Sequence, residues 1–270
     1  MCRSTPTRPP SKRTGDQPPN YEEAIRPSLN DRIDDIDNED TALAMISFAW
    51  TDRIRLLRFP EPIISLICEV LRKLWPKGIQ KAQEFDESFE IKLRGNPFHH
   101  GADDEKLSIR VSLMGILNEL AKEGWIIMDG AGGRLTRLGN YAPFGQKDSW
   151  IFALQEPRAL SWLCVSFVKA DILHLINAPS ELATRILTTF GDKVETCNQD
   201  YVSGSFEVKF KQVPWAQPTP KGAIQSRILA LDLARCLSNQ GYRMCTSLDL
   251  DGGIGGINYQ STGEVSFWCR

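Results

Sequence analysis

Hydrophobic and polar residues alternate along two short segments of the chain, SFEIKL at residues 88–93 and SFEVKF at residues 205–210. Successive side chains of a β-strand point to opposite faces, so the apolar residues share one face while Glu90 and Lys92 lie on the other. The pattern predicts strands with one buried face and one face in water. A strand covered by helices on both faces would be apolar throughout, so the alternation favours an α+β fold over a doubly wound parallel sheet.

The two alternating segments belong to a longer internal repeat. Residues 46–60 (ISFAWTDRIRLLRFP) align without a gap with residues 165–179 (VSFVKADILHLINAP), and residues 88–98 align in the same order with residues 205–215. Collinear similarity of this length indicates a duplicated unit. We expect the two copies to pack together as one pseudo-twofold body. The predicted organisation is an N-terminal segment at 1–41, repeat 1 at 42–156 and repeat 2 at 157–270.

Each repeat is predicted to have the order β-α-β-α-β-β, with a sheet covered by helices on one face. The first strand ends near Asp52 or Asp171, an acid suited to capping the helical turn that follows. Pro60 and Pro179 then begin a longer helix, because proline is tolerated in a first helical turn and breaks a helix interior. These helices read EPIISLICEVLRKLW in repeat 1 and SELATRILTTF in repeat 2.

The second helix of each repeat carries apolar residues at helical spacing. Gly124 and Gly241 end these helices at a position suited to a C-cap, and two final strands follow. We expect each apolar stripe to face the core of its own repeat. The stripes are Leu107, Val111, Met114, Leu117 and Ala121 in repeat 1, and Ile224, Ile228, Leu231, Ala234 and Leu237 in repeat 2.

Residues 1–41 are rich in Pro, Ser, Thr, Arg and Asp and poor in apolar side chains. Such a segment cannot bury enough surface to offset the entropy lost on ordering, so we expect a disordered, Pro-rich and acidic tail. The tail nevertheless contains a lone aromatic residue, in QPPNYEEA at residues 17–24. An isolated tyrosine in a segment with no core of its own suggests a role in recognition.

Pro18, Pro19, Asn20 and Tyr21 resemble the PPxY ligands of WW domains. Two prolines favour a polyproline II helix that docks on an aromatic groove, and the tyrosine one turn later fills a second pocket. The resemblance covers the tail only. It implies recruitment by a WW-domain protein, of which NEDD4-type ubiquitin ligases are the most familiar readers. A proline-rich linker with an incidental tyrosine is the alternative.

Charge and composition narrow the function classes. The formal net charge is -2, so the whole chain has no cationic field that would attract nucleic acid. The N-terminus lacks the apolar region of a secretory signal, and the apolar runs are far shorter than the roughly 20 residues that span a bilayer. The seven cysteines are scattered without a C-x-x-C pair, and we expect them to be reduced and mostly buried. These features predict a cytoplasmic protein.

Two further patterns bear on chemistry. His99 and His100 precede the acidic residues 103–105, and these residue types bind metals. However, adjacent strand histidines point to opposite faces, and repeat 2 has no ligand at that place. The glycines of residues 129–134 and 251–256 lie between predicted strands, which is typical of turns rather than of phosphate-binding loops. We therefore predict no metal, no cofactor and no catalytic residue, and hence no enzyme.

The favoured interpretation is an adaptor or substrate protein whose tail binds a WW-domain protein and whose folded body binds a protein cargo or a membrane-surface partner. On the body, Lys92, Lys209 and Trp215 are the candidate recognition residues. Two alternatives stay open: an enzyme of unrecognised type, or a groove between the repeats that binds a lipid headgroup or small molecule. The anion contacts of such a groove would come from Lys77, Lys81, Arg134, Arg137 and Lys147.

Overall fold

The computed structural model describes residues 41–98, 103–128, 134–135, 145–202, 205–215, 219–249 and 264–270. The PPNY motif and the rest of the predicted tail lie outside these residues. Contacts group the described residues from Thr41 to Arg270 into one unit.

The two repeats share six strands and two helices in the same order, and differ in the short β6 of repeat 1 and a 3-10 turn of repeat 2. Repeat 1 comprises β1 (Leu43–Ala49), β2 (Arg53–Leu57), α1 (Glu61–Leu74), β3 (Ile79–Phe85), β4 (Ser88–Leu93), α2 (Asp103–Lys122), β5 (Trp125–Ile127), the short β6 (Arg134–Leu135) and β7 (Gln146–Leu154). Repeat 2 comprises β8 (Trp162–Phe167), β9 (Ile172–Ile176), α3 (Ser180–Phe190), a 3-10 turn (Gly191–Lys193), β10 (Val194–Val202), β11 (Ser205–Phe210), α4 (Pro220–Ser238), β12 (Arg243–Asp249) and β13 (Glu264–Cys269).

Each repeat forms one antiparallel sheet, and the two sheets have the same strand order. Sheet 1 runs β3-β4-β2-β1-β7-β5, with β6 also paired to β7, and sheet 2 runs β10-β11-β9-β8-β13-β12. The predicted α+β class and tandem duplication are therefore confirmed. The long helices predicted after Pro60 and Pro179 are confirmed as α1 and α3.

The element order differs from the prediction because each repeat is β-β-α-β-β-α-β-β, apart from the short extra strand β6 of repeat 1. Asp52 and Asp171 do not cap helices: they lie in the turns of the hairpins β1-β2 and β8-β9, where their carbonyl oxygens accept hydrogen bonds from Leu93 and Phe210. The edge strand β3, IQKAQEF, is polar and mostly exposed. An edge strand needs no apolar alternation, so its sequence resembles a loop.

Repeat 1 stacks its helices on sheet 2. Alternate residues of β8 belong to different cores: Leu163 and Val165 pack with α3 and α4, whereas Trp162 and Cys164 join the core that contains α1 and α2. The layers are therefore sheet 1, α1 with α2, sheet 2, and α3 with α4. This arrangement is head-to-tail, because one repeat offers its helices and the other its sheet. The prediction that the two repeats are related by a pseudo-twofold axis is therefore wrong.

The two sheets also touch directly beside α2. The ring of Trp150 on β7 lies edge-to-face against Phe267 on β13, with centroids 5.2 Å apart, and its Nε1 donates to the Ser247 carbonyl. Phe48 of sheet 1 also packs edge-to-face with the Trp150 ring, at 5.1 Å. A single tryptophan thus joins the aromatic core of sheet 1 to sheet 2, at a site with no exposed surface.

The stacking gives equivalent positions of α2 and α4 opposite environments. Met114 of α2 is 6% exposed, whereas Leu231, its counterpart in α4, is 66% exposed. Ile224 and Ile228 are also 63% and 48% exposed. The predicted inward stripe of α4 is thus wrong for these three residues and right for Leu237, and the helix also buries Leu229, Leu233 and Cys236.

A disulfide bond joins Cys245, at an irregularity in β12, to Cys269 of β13, with their Cα atoms 6.4 Å apart. The expectation that all cysteines are reduced is therefore wrong for this pair. Neighbouring antiparallel strands bring the two thiols together, which sequence spacing could not reveal. The other described cysteines, Cys68, Cys164, Cys197 and Cys236, are free thiols.

We expect Met114→Ala to lower the free energy of unfolding by about 2–4 kcal/mol, because it opens a cavity in the shared core. The matched control, Leu231→Ala, removes a side chain that is mostly in water and should change stability by less than about 0.5 kcal/mol. Urea unfolding followed by circular dichroism measures both values. Equal losses for the two variants would contradict the head-to-tail stacking.

Reduction of the disulfide should lower the free energy of unfolding by about 3 kcal/mol, because the bond closes a loop with a sequence separation of 24 in the unfolded chain. Cys245→Ser should show the same loss without reductant and no further loss with it. Urea unfolding with and without a phosphine reductant compares the two proteins. A wild type that does not respond to reductant would contradict the pairing.

Candidate interaction surface

A row of polar residues crosses sheet 1 on the face opposite α1 and α2. Strand register places Gln83, Glu90, Arg55, Ser47 and Ser149 side by side on five neighbouring strands. Directly paired residues share a face, so their side chains form one continuous line. We call this face of sheet 1 the charged face.

Glu90 is the electrostatic centre of the charged face. Its side chain is only 4% exposed and lies between two guanidinium groups: Arg53 Nη1 donates to Oε1 at 2.7 Å, and Arg55 Nε donates to Oε2 at 3.0 Å. A carboxylate this deeply buried needs such hydrogen-bond partners to replace the water that burial removes. The arginines are themselves partly exposed, so they present positive charge at the surface while they are held in place by Glu90.

Lys92, one of the predicted recognition residues, lies on the same face beside Asp52. Its Nζ is 3.8 Å from Asp52 Oδ2, and Arg53 Nε is 3.8 Å from Oδ1. Burial raises the pKa of Asp52, and the nearby Lys92 and Arg53 only partly oppose this effect. Protonation of Asp52 therefore favours the folded state, and this contribution is lost as the pH rises above the usual carboxyl range through the raised pKa.

The equivalent row on sheet 2 consists of Asn198, Glu207, His174 and Ser166. It lies on the face that receives repeat 1, and His174 and Ser166 are buried. His174 Nε2 is 3.0 Å from Glu207 Oε2, so a neutral imidazole that donates from Nε2 can satisfy the carboxylate. Each row is thus buried toward the middle of its sheet, at Ser47 and Ser149 in repeat 1 and at His174 and Ser166 in repeat 2, and reaches solvent toward its edge strand.

The other two predicted recognition residues lie on repeat 2, away from Lys92. Lys209 Nζ is 2.9 Å from Glu195 Oε2 at the margin of sheet 2. Trp215 is half-buried and packs edge-to-face on Phe167 at 4.6 Å and on Phe210 at 5.5 Å. The three residues therefore do not form one patch: Lys92 and Lys209 occupy equivalent places on separate sheets, and Trp215 borders the core of repeat 2.

The cations suggested for an anion-binding groove are largely paired. Arg134 donates from Nη2 to Asp148 Oδ2 at 2.6 Å and from Nη1 to Ser247 Oγ, so it fastens β6 and β7 to β12 of repeat 2. Lys77 forms a salt bridge with Glu105, Lys147 also has a partner, and Lys81 is exposed. Arg137 lies outside the described residues.

The other candidates for chemistry are the metal-binding residue types, the glycine-rich segments and the cysteines, and only some of them lie within the described residues. Within the described ranges no three His, Cys, Asp or Glu side chains are grouped as a metal would require. His99, His100 and most glycines of the two predicted turns lie outside those ranges. Burial raises the pKa of the Cys164 thiol to about 12, although Arg110 opposes the shift, so this thiol is protonated and a poor nucleophile at neutral pH.

No described helix combines the length and apolar character that crossing a membrane requires.

One protein-family domain matches the chain twice, over residues 42–153 and 161–270. The chain belongs to this family. It carries two tandem copies of the family domain, and these copies correspond to the two structural repeats. No curated protein and no solved structure matches the chain.

The alternation predicted that Glu90 and Lys92 share a strand face in water. This is wrong for Glu90, which is buried beside the two arginines that the sequence did not reveal. Arg53 and Arg55 belong to β2, which the sequence analysis assigned to a helical turn. Arginine and apolar residues alternate at the start of RIRLL, in step with the alternating burial of the strand. This period-two alternation of residue types was the available sequence signal. The segment is only five residues long, which left strand and helix hard to distinguish.

We expect Glu90→Gln to lower the free energy of unfolding by about 1–3 kcal/mol, because it leaves two guanidinium groups close together without their shared counter-charge. The loss should shrink in high salt. Glu195→Gln removes the exposed partner of Lys209 and should leave stability unchanged within error. Urea titrations at low and high salt measure both variants, and a Glu90→Gln protein as stable as the wild type would contradict the assignment.

Proposed function

We propose that this protein is a non-enzymatic interaction protein whose PPNY segment recruits a WW-domain protein, such as a ubiquitin ligase. The observation that carries the proposal is the sequence Pro18-Pro19-Asn20-Tyr21 ahead of a folded body that begins near Thr41. Two prolines restrict the backbone before binding, so less conformational entropy is lost when the segment docks.

The charged face supports the second half of the proposal, in which the body binds a protein cargo. Arg53, Arg55 and Lys92 present partly exposed positive charge that is oriented by buried or half-buried carboxylates. Fixed cations of this kind favour a partner surface that carries carboxylates, and they contribute mainly to specificity and association rate. A chain with two binding modules would bring the cargo close to the recruited enzyme.

The groove between the repeats is a weaker site for a lipid headgroup or other anion. Its central cation, Arg134, already bonds to Asp148 and Ser247, and α2 fills much of the space between the sheets with apolar side chains. An anion there would have to displace existing salt bridges. These contacts favour the protein-binding interpretation over the headgroup alternative.

A peptide of residues 12–28 should bind a subset of a WW-domain panel, and Tyr21→Ala should weaken that binding by at least about tenfold, since the tyrosine fills its own pocket. Asn20→Ala is the matched control, because the third position of the motif makes no specific contact, and it should bind like the wild type. Fluorescence anisotropy of labelled peptides measures the affinities. Equally poor binding by all three peptides would refute WW recognition.

A further inference from the structure

The charged face of sheet 1 also carries apolar side chains beside its polar row. Met45 lies two residues before Ser47 on β1 and is therefore on the same face. It is paired with Leu57 on one side and with Ile151 on the other, and all three apolar residues are partly exposed. Two residues before Met45, Leu43 is 44% exposed. We call these four apolar residues the sheet patch.

The matching residues of sheet 2 form the surface that receives repeat 1. Cys164 is paired with Ile176 and with Phe267 in the same register, and Trp162 takes the place of Leu43. All four residues of sheet 2 belong to the core that contains α1 and α2. The sheet patch therefore repeats, at the outer side of the stack, the surface through which sheet 2 contacts the helices of repeat 1.

One side of α2 meets that surface of sheet 2. Arg110 lies near enough to Cys164 to oppose the raised pKa of its thiol. Further along the helix, Leu117 and Ala121 line the same small gap as Trp162. Helical spacing places Arg110, Leu117 and Ala121 on one side of α2.

The corresponding side of α4 is apolar and exposed. Arg227 of α4 matches Arg110 of α2 in the alignment of the repeats. Leu231, one turn after Arg227, is 66% exposed, Ile224, one turn before it, is 63% exposed, and the neighbouring Ile228 is 48% exposed. We call Ile224, Ile228 and Leu231 the helix patch. Their counterparts in α2 are buried or partly buried in the shared core: Leu107, Val111 and Met114.

We propose that the chain stacks on a second copy of itself, with the helix patch of one copy on the sheet patch of the next. The two patches lie on opposite terminal layers, and each is the counterpart of one half of the contact between the repeats. The contact is head-to-tail, so a bound pair still presents one patch of each kind and can add a further copy. Removal of apolar surface from water favours the association.

The polar row of the charged face makes this contact weaker than the contact between the repeats. Arg55 lies where His174 lies on sheet 2, and burial of a guanidinium group costs more than burial of a neutral imidazole. Glu90 Oε2 already accepts a hydrogen bond from Arg55 Nε at 3.0 Å, so the arginine keeps a partner when it is covered. Stacking should therefore be reversible, and it should exclude a cargo from the charged face.

Sedimentation velocity of the full chain over a range of concentrations tests the proposal. The average mass of the wild type should rise with concentration beyond that of a dimer, because every assembly still presents both patches. Leu231→Lys and Leu43→Lys should each weaken association at least about tenfold, because each places an ammonium group in the apolar contact. The matched control, Met244→Lys, changes a residue that is 58% exposed on the edge strand β12 and should associate like the wild type.

A mixture of the two variants distinguishes head-to-tail stacking from the pairing of two helix patches. Leu231→Lys keeps the sheet patch and Leu43→Lys keeps the helix patch, so an equal mixture should form a complex of two chains and grow no further. If two α4 helices paired with each other, Leu43→Lys alone would associate like the wild type.

That result, an equal loss in Met244→Lys, or a wild type that stays monomeric at every concentration would overturn the proposal. Circular dichroism checks that the three variants melt like the wild type, as expected for exposed positions. None of these results would change the binding of the PPNY peptide to WW domains, so the two proposals fail separately.

Discussion

The burial of α2 between two sheets is the interaction on which the rest of the structure depends. Leu113, Leu117 and Ala121 of this helix are all buried, and Leu117 and Ala121 line the same small gap as Trp162 and Cys269 of sheet 2. A helix that is apolar on most of its circumference must be covered on most of its circumference. Repeat 1 therefore requires repeat 2 as a cover, and the tandem duplication and the fold are inseparable.

This stacking explains how two copies of one domain acquired different surfaces. Arg55 and Ser149 belong to the row on sheet 1. The residues at the matching places on sheet 2 are His174 and Val265. An arginine cannot be buried without several partners, whereas a neutral histidine needs fewer. Sheet 2 therefore has no arginine in this row, whereas Arg55 of sheet 1 is partly exposed and pairs with Glu90. The covered row is structural, and the charged face is the one that remains available to a partner.

The sequence was sufficient for the duplication, the α+β class and the helices α1 and α3, because those depend on local periodicity and on proline positions. It was insufficient for β2, β3 and the packing of α4. The five residues of β2 are too few for a distinct period, and β3 is a polar edge strand. Ile224, Ile228 and Leu231 have a pattern like that of α2, but their exposure depends on which repeat is last in the stack. For the candidate surface, the shared strand face of Glu90 and Lys92 could be predicted from alternation, whereas Arg53 and Arg55 required the register.

The end of a head-to-tail stack differs physically from its interior. Sheet 1 is one terminal layer and bears the charged face, while α3 and α4 form the other terminal layer. The interior helix layer lies between two sheets, so Met114 of α2 is 6% exposed, whereas Leu231 at the matching place in the terminal layer is 66% exposed. A partner bound to the charged face would leave α3 and α4 uncovered, because an entire repeat separates the two terminal layers.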